Sequence, residues 1–97
     1  MRIEWDEAKN RTNRLKNGLS FEQAAVLFEG SADYLVICDD QHSADEDRFL
    51  AIGPASKGMV TVVYSEPSED VIRIIGARRA TRREAALFRR HIRGTKR

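Results

Sequence analysis

The sequence predicts an α+β domain: a short N-terminal strand, a two-helix hairpin, an antiparallel sheet meander and a C-terminal helix. Three observations carry that assignment. Two capped segments with helical apolar spacing come first, parted by Gly18. From Tyr34 to Ala77 that period gives way to short apolar runs broken by glycine and proline, the pattern of strands. Thr81-Arg82-Arg83-Glu84 then has capping-box spacing and opens a last helical stretch.

In chain order, Ile3 and Trp5 alternate with Arg2 and Glu4 as in a short strand. Asp6 offers an N-cap for the first helix, with Glu7 in its first turn where a negative charge suits the dipole. Trp5, Ala8, Thr12 and Leu15 form a narrow apolar stripe on it, and Gly18 suits its C-terminal end. Ser20 and Gln23 make a second capping box; behind it Phe21, Ala24, Ala25 and Phe28 line one helix face up to Gly30. Four strands are expected at Tyr34–Cys38, Arg48–Gly53, Met59–Ser65 and Val71–Ala77, with Gly53-Pro54, Gly58 and Pro67-Ser68 as breakers. Val60, Val62 and Tyr64 would share a face, and Arg73 would project opposite Ile72 and Ile74. Ala85, Phe88 and Ile92 would share one side of the last helix with Leu87 flanking, and one domain is expected over residues 1–93 with a basic tail at 94–97.

Ninety-seven residues suit a single core, and 41% hydrophobic with 33% charged describes a globular chain. No apolar run approaches the ~20 residues of a membrane span, and no signal segment follows Met1, so a cytoplasmic protein without a membrane role is expected. The one cysteine, Cys38, cannot form an internal disulfide and is expected to be a buried hydrophobe. Charge is divided unevenly. The first 72 residues carry 7 Lys/Arg and 14 Asp/Glu (−7), and the rest carry 10 and 1 (+9). Such asymmetry marks a surface for a polyanion.

Arg82 and Arg83 sit at a helix start against its dipole, with Arg78 and Arg79 just before, an arrangement suited to phosphate. Arg73 lies in an apolar strand, so it must either reach an open sheet face, where Arg78 and Arg79 would join it, or pair with Asp39, Asp40 or Asp47. The acidic run from Asp39 to Asp47 matches no metal-ligand spacing, and His42 is a candidate acid or base. No nucleophile elbow, phosphate loop or dinucleotide fingerprint is present.

Several stretches resemble the BrnT toxins: Ile3-Glu4-Trp5-Asp6 with Lys9 and Asn13, Lys16 to Ala24, His42-Ser43, Arg48-Phe49, Ile52-Gly53, and above all Val71 to Glu84. The resemblance implies a RelE-like fold and a growth-arresting ribonuclease, the toxin of a type II toxin–antitoxin pair. It implies a BrnA-like ribbon-helix-helix antitoxin, a heterotetrameric complex, and operator DNA bound only through that complex. Members usually carry histidine where Asn17 stands, and often tyrosine at Phe88.

Cleavage without cofactor or metal would run by attack of the ribose 2′-hydroxyl on the adjacent phosphate. Arg73, Arg78 and Arg79 are then the candidate catalytic cations, with Glu46, Asp47 or His42 as proton acceptor. Lys57, Arg82 and Arg83 are the candidate RNA-binding residues. On this reading, alanine at both Arg78 and Arg79 abolishes activity with little change in melting temperature. Two rivals use the same basic face: a nucleic-acid-binding module without chemistry, and a surface that only holds an acidic antitoxin segment.

Overall fold

The helix caps form as their spacing predicts. In the computed structural model, which describes residues 1–30, 33–39, 47–56 and 58–95, β1 (Arg2–Trp5) leads into α1 (Glu7–Asn17). The Asp6 carboxylate accepts from the N–H groups of Ala8 and Lys9. Gly18 closes α1 in the left-handed region, φ 70°, where a side chain would cost about 1 kcal/mol. Ser20 opens α2 (Phe21–Glu29) with its reciprocal bonds to Gln23.

Then come β2 (Leu35–Cys38), β3 (Phe49–Ala55), β4 (Gly58–Ser65), β5 (Val71–Arg79) and α3 (Arg82–Thr95). The sheet order is β1-β5-β4-β3-β2. Strands β2 to β5 form the expected antiparallel meander, while β1 lies parallel beside β5, making the sheet mixed. The starts of β2, β3 and β4 each shift by one residue from expectation, and three elements end two residues later than expected. β3 runs through Gly53-Pro54, because β2 pairs with it only from Phe49 to Ile52. Pro54 therefore sits where β3 is an edge, and its missing N–H breaks no ladder. β5 reaches Arg79, and α3 continues through Gly94 to Thr95.

The hairpin helices cover one sheet face. Phe21, Ala24, Leu27 and Phe28 pack there against Val60, Val62, Tyr64, Ile72, Ile74 and Ala77. The approach is close at Gly53, where a Cβ would stand 2.7 Å from Leu27 Cδ1 and 2.9 Å from Tyr34 Cβ. On the other face α3 lies against β3, with Ile52, Thr61 and Phe88 buried. Ile37, Leu50 and Val63 on that side remain half-buried.

The apolar stripe expected on α1 does not anchor it, since Leu15 is 86% exposed. Asparagines do the anchoring. Asn10, 2% exposed, accepts from Phe21 N–H and donates to Glu7 and Glu22. Asn13 accepts from Ala77 N–H at 3.2 Å and donates to the Ala77 and Leu19 carbonyls at 2.9 and 2.7 Å. Asn17 donates to the Ala77 carbonyl at 3.0 Å and to Asn13 Oδ1. β1 pairs with β5 only as far as Ile74, so beyond it the edge groups of Ala77 need partners. The Asn13 amide supplies both a donor and an acceptor, as a neighbouring strand would.

Candidate functional site

A bulge in β5 decides which cations can meet. Tyr64 pairs with Ile74 but Val63 pairs with Gly76, leaving Ile75 as the extra residue. Simple alternation would place Arg73 and Arg79 on one face and Arg78 on the other. The bulge reverses this. Arg73 lies opposite Ser65 and Arg78 opposite Thr61, both on the α3 side, whereas Arg79 lies opposite Val60 on the hairpin side. The three cations therefore do not converge. Arg73 and Arg78 share a face, their cross-strand partners four residues apart, which is about 13 Å along the strand.

The acid that Arg73 meets is Glu4, which is not among the expected partners; of those, Asp40 lies outside the described residues. The pair forms across the parallel β1–β5 register, with Arg73 Nε at 2.8 Å and Nη2 at 2.6 Å from Oε2. Arg73, and then Arg2, hold the Glu4 carboxyl below its ordinary range.

Arg78 is bound more fully. Its Nη1 and Nη2 donate to the two Glu84 oxygens at 2.7 and 2.9 Å, a bidentate fork. Glu84 Oε1 also accepts from the Thr61 hydroxyl and Thr81 N–H, each at 2.9 Å, while the Thr81 hydroxyl accepts from Glu84 N–H. The capping box is thus one end of a latch joining α3 to β4 and β5. Arg78, against the opposing effect of burial, holds Glu84 down at about 2, with Thr81 and Thr61 assisting. Such a carboxylate stays ionised at neutral pH and makes a poor proton acceptor. It also offsets the charge of Arg82 and Arg83 at the helix start. Because Arg78 secures α3, its removal would disturb the fold along with any chemistry, which revises the expectation of an unchanged melting temperature.

Between this latch and the uncovered sheet lies a groove of about 660 Å³. Its floor is Ile37, Leu50 and Val63; Arg78, Arg83, Glu84 and Leu87 form one wall, and Cys38 and Asp39 the rim. Its volume suits a nucleotide-sized ligand. Arg82 and Arg83 are exposed at the start of α3, with Arg83 in the groove lining. Cys38 is exposed, contrary to expectation, because β2 is an edge strand and the residue lies near its end at the rim. His42, Glu46 and Lys57 lie outside the described residues. Asn17 and Phe88, the two departures from the resembled pattern, are structural here: Asn17 serves the β5 edge and Phe88 is buried.

Among the described residues no helix is long and apolar enough to cross a membrane. The family profile described as ribonuclease toxin, BrnT, of type II toxin-antitoxin system matches residues 5–84. The crystal structure of the Brucella abortus ribonuclease toxin BrnT is similar, with 31% identity and a TM-score of 0.64, over 84% of this chain and 99% of that one. No curated protein matches the chain.

Proposed function

Because the chain belongs to the BrnT family of ribonuclease toxins of type II toxin–antitoxin systems, we propose that it cleaves RNA without a metal and arrests growth in the cytoplasm. Its antitoxin is a BrnA-like ribbon-helix-helix protein, joined in a heterotetramer that represses the shared operon and reaches operator DNA only through the antitoxin. The observation supporting this reading most is the Arg78–Glu84 fork, which fixes a guanidinium at the wall of an open groove. A positioned cation costs no reorganisation when phosphate charge develops.

In the proposed reaction the 2′-oxygen bonds to phosphorus and the P–O5′ bond breaks. The products are a 2′,3′-cyclic phosphate and a 5′-hydroxyl. Arg78 offers the N–H groups that Glu84 leaves over, and Arg83 faces the same space. Arg73 takes a phosphate farther along the face, while Arg79 serves a flanking one from the strand end. Arg82 and Lys57 hold flanking RNA backbone. His42 and Glu46 are the proposed proton acceptor and donor; the segment carrying them follows Asp39, which stands on the rim.

A binding module without chemistry is the second reading. It is favoured by one fact: Glu84, in the groove wall, is committed to Arg78 and held ionised. A growth experiment with RNA readout separates the two. Induced alone, the chain is expected to stop growth and fragment cellular RNA, and coinduction of its antitoxin is expected to restore both. Arrest with intact RNA would favour binding only; undisturbed growth would remove the toxin reading.

A further inference from the structure

Two hollows flank β5, and their lining residues meet at Gly76. One is the groove beside α3. The other is a cleft of about 380 Å³ between α1 and the β5 bulge, lined by Lys9, Asn13, Lys16 and Ile75 among others. Gly76 faces the groove side with Val63. A Cβ there would stand 3.9 Å from Val63 Cβ and 4.0 Å from Asn13 Oδ1, one lining residue of each hollow. At position 76, therefore, no side chain stands between these two lining residues.

Their charges differ. The groove lining holds Arg78 and Arg83 against Asp39 and Glu84, so it has no net charge to draw in a polyanion. The cleft holds Lys9 and Lys16 and no acid. Both lysines are exposed, and neither forms an ion pair among the described residues. Seven residues apart on one helix face, they stand about 10 Å apart along the axis. The attractive half of the surface is therefore the cleft.

We propose that single-stranded RNA is held by its phosphodiesters at Lys9 and Lys16, crosses β5 over Gly76, and delivers its scissile phosphate to Arg78. This rests on the ribonuclease reading above. An acidic peptide fits less well. It would gain most by adding as a strand, but beyond β1 the edge groups of Ala77 are taken by Asn13 and Asn17. A nucleic-acid backbone asks only for cations.

The test is fluorescence anisotropy on a short 2′-O-methyl oligoribonucleotide, which binds but lacks the attacking hydroxyl, titrated over a range of salt. Lys9→Ala with Lys16→Ala is expected to weaken binding at low salt and reduce the slope of log K against log salt by about 1.4, two phosphates at ~0.7 each. Gly76→Val should weaken the same probe by placing a side chain between those lining residues; Gly76 has no left-handed φ, so the strand tolerates it. Melting curves confirm folding, and alanine is a good helix former at both lysine positions. If the wild type ignores RNA, the ribonuclease reading falls and the track with it. If the wild type binds and the lysine variant matches it in affinity and slope, only the track is overturned. Unchanged RNA binding with lost antitoxin capture would give the cleft to the protein partner and likewise overturn it.

Discussion

Glu84→Gln is expected to destabilise the fold by about 2 kcal/mol, since hydrogen bonds to charged groups contribute ~1.5–3 kcal/mol and Arg78 is partly solvated, which screens its share. For a domain of this size that lowers the melting temperature by roughly 8–16 °C. The amide oxygen can take the place of Oε1, but the amide nitrogen then faces Arg78 Nη2, so one of the four donors on the carboxylate loses its acceptor and the other three lose a charged one. The pH dependence follows with a definite sign. Glu84 has a depressed folded pKa of about 2 against 4.5, so its contribution is present above 4.5 and lost as pH falls toward 2. Thermal melts of the wild type should therefore steepen their decline across that acid window, and the glutamine variant should lack this component. Coincident acid profiles for the two proteins would show that the latch contributes nothing.

Asn13→Ala is expected to cost about 3 kcal/mol, because unpaired buried backbone groups carry ~1–3 kcal/mol each and the change strips partners from Ala77 and Leu19. Asn17 still reaches the Ala77 carbonyl, but Ala77 N–H loses the acceptor that Asn13 supplies. Asn13→Asp separates hydrogen bonding from size. Aspartate can accept from Ala77 N–H yet sets a charge against the Ala77 and Leu19 carbonyls, to which Asn13 donates. It should be no better than alanine. Denaturant melts give the stability, and amide exchange at Ala77 should accelerate in both variants. A loss below ~0.5 kcal/mol, the range of an ordinary surface change, would contradict the role given to this side chain.

These two features also mark where sequence reading stops. Helix starts were legible because Asp6, Ser20 and Thr81 act within three residues of the backbone they cap. The strands of the meander were legible because one face is buried, as at Val60, Val62 and Tyr64. The parallel placement of β1 was not, since its partner lies some seventy residues away and nothing local specifies it. The α1 seam was hidden for a different reason. Asn10, Asn13 and Asn17 have helical spacing, but a search for apolar periodicity passes over them and selects Leu15 instead. Their spacing was the available signal.

The candidate site was legible in composition and not in arrangement. Arg73, Arg78 and Arg79 stood out as cations, but one bulge residue, Ile75, decides that Arg78 joins Arg73 and that Arg79 faces the other way. The partners were equally non-local: Glu4 reaches Arg73 only through the β1–β5 register. Lys9 and Lys16 are visible in the sequence only as part of the resemblance, because they are spread along an ordinary amphiphilic helix. Only the fold sets them beside Ile75 and the approach to Gly76.

Whether this chain cuts RNA with its own side chains is decided by incubating purified wild-type protein and an Arg83→Ala variant with end-labelled RNA in excess EDTA. Fragments ending in 2′,3′-cyclic phosphate are expected from the wild type, undiminished by EDTA. Cleavage by the variant should be markedly slower, with an unchanged melting temperature, because Arg83 lines the groove but is no part of the Arg78–Glu84 latch. Intact RNA from folded wild-type protein, or cleavage that EDTA abolishes and added divalent metal restores, would contradict a cut made by the chain's own side chains.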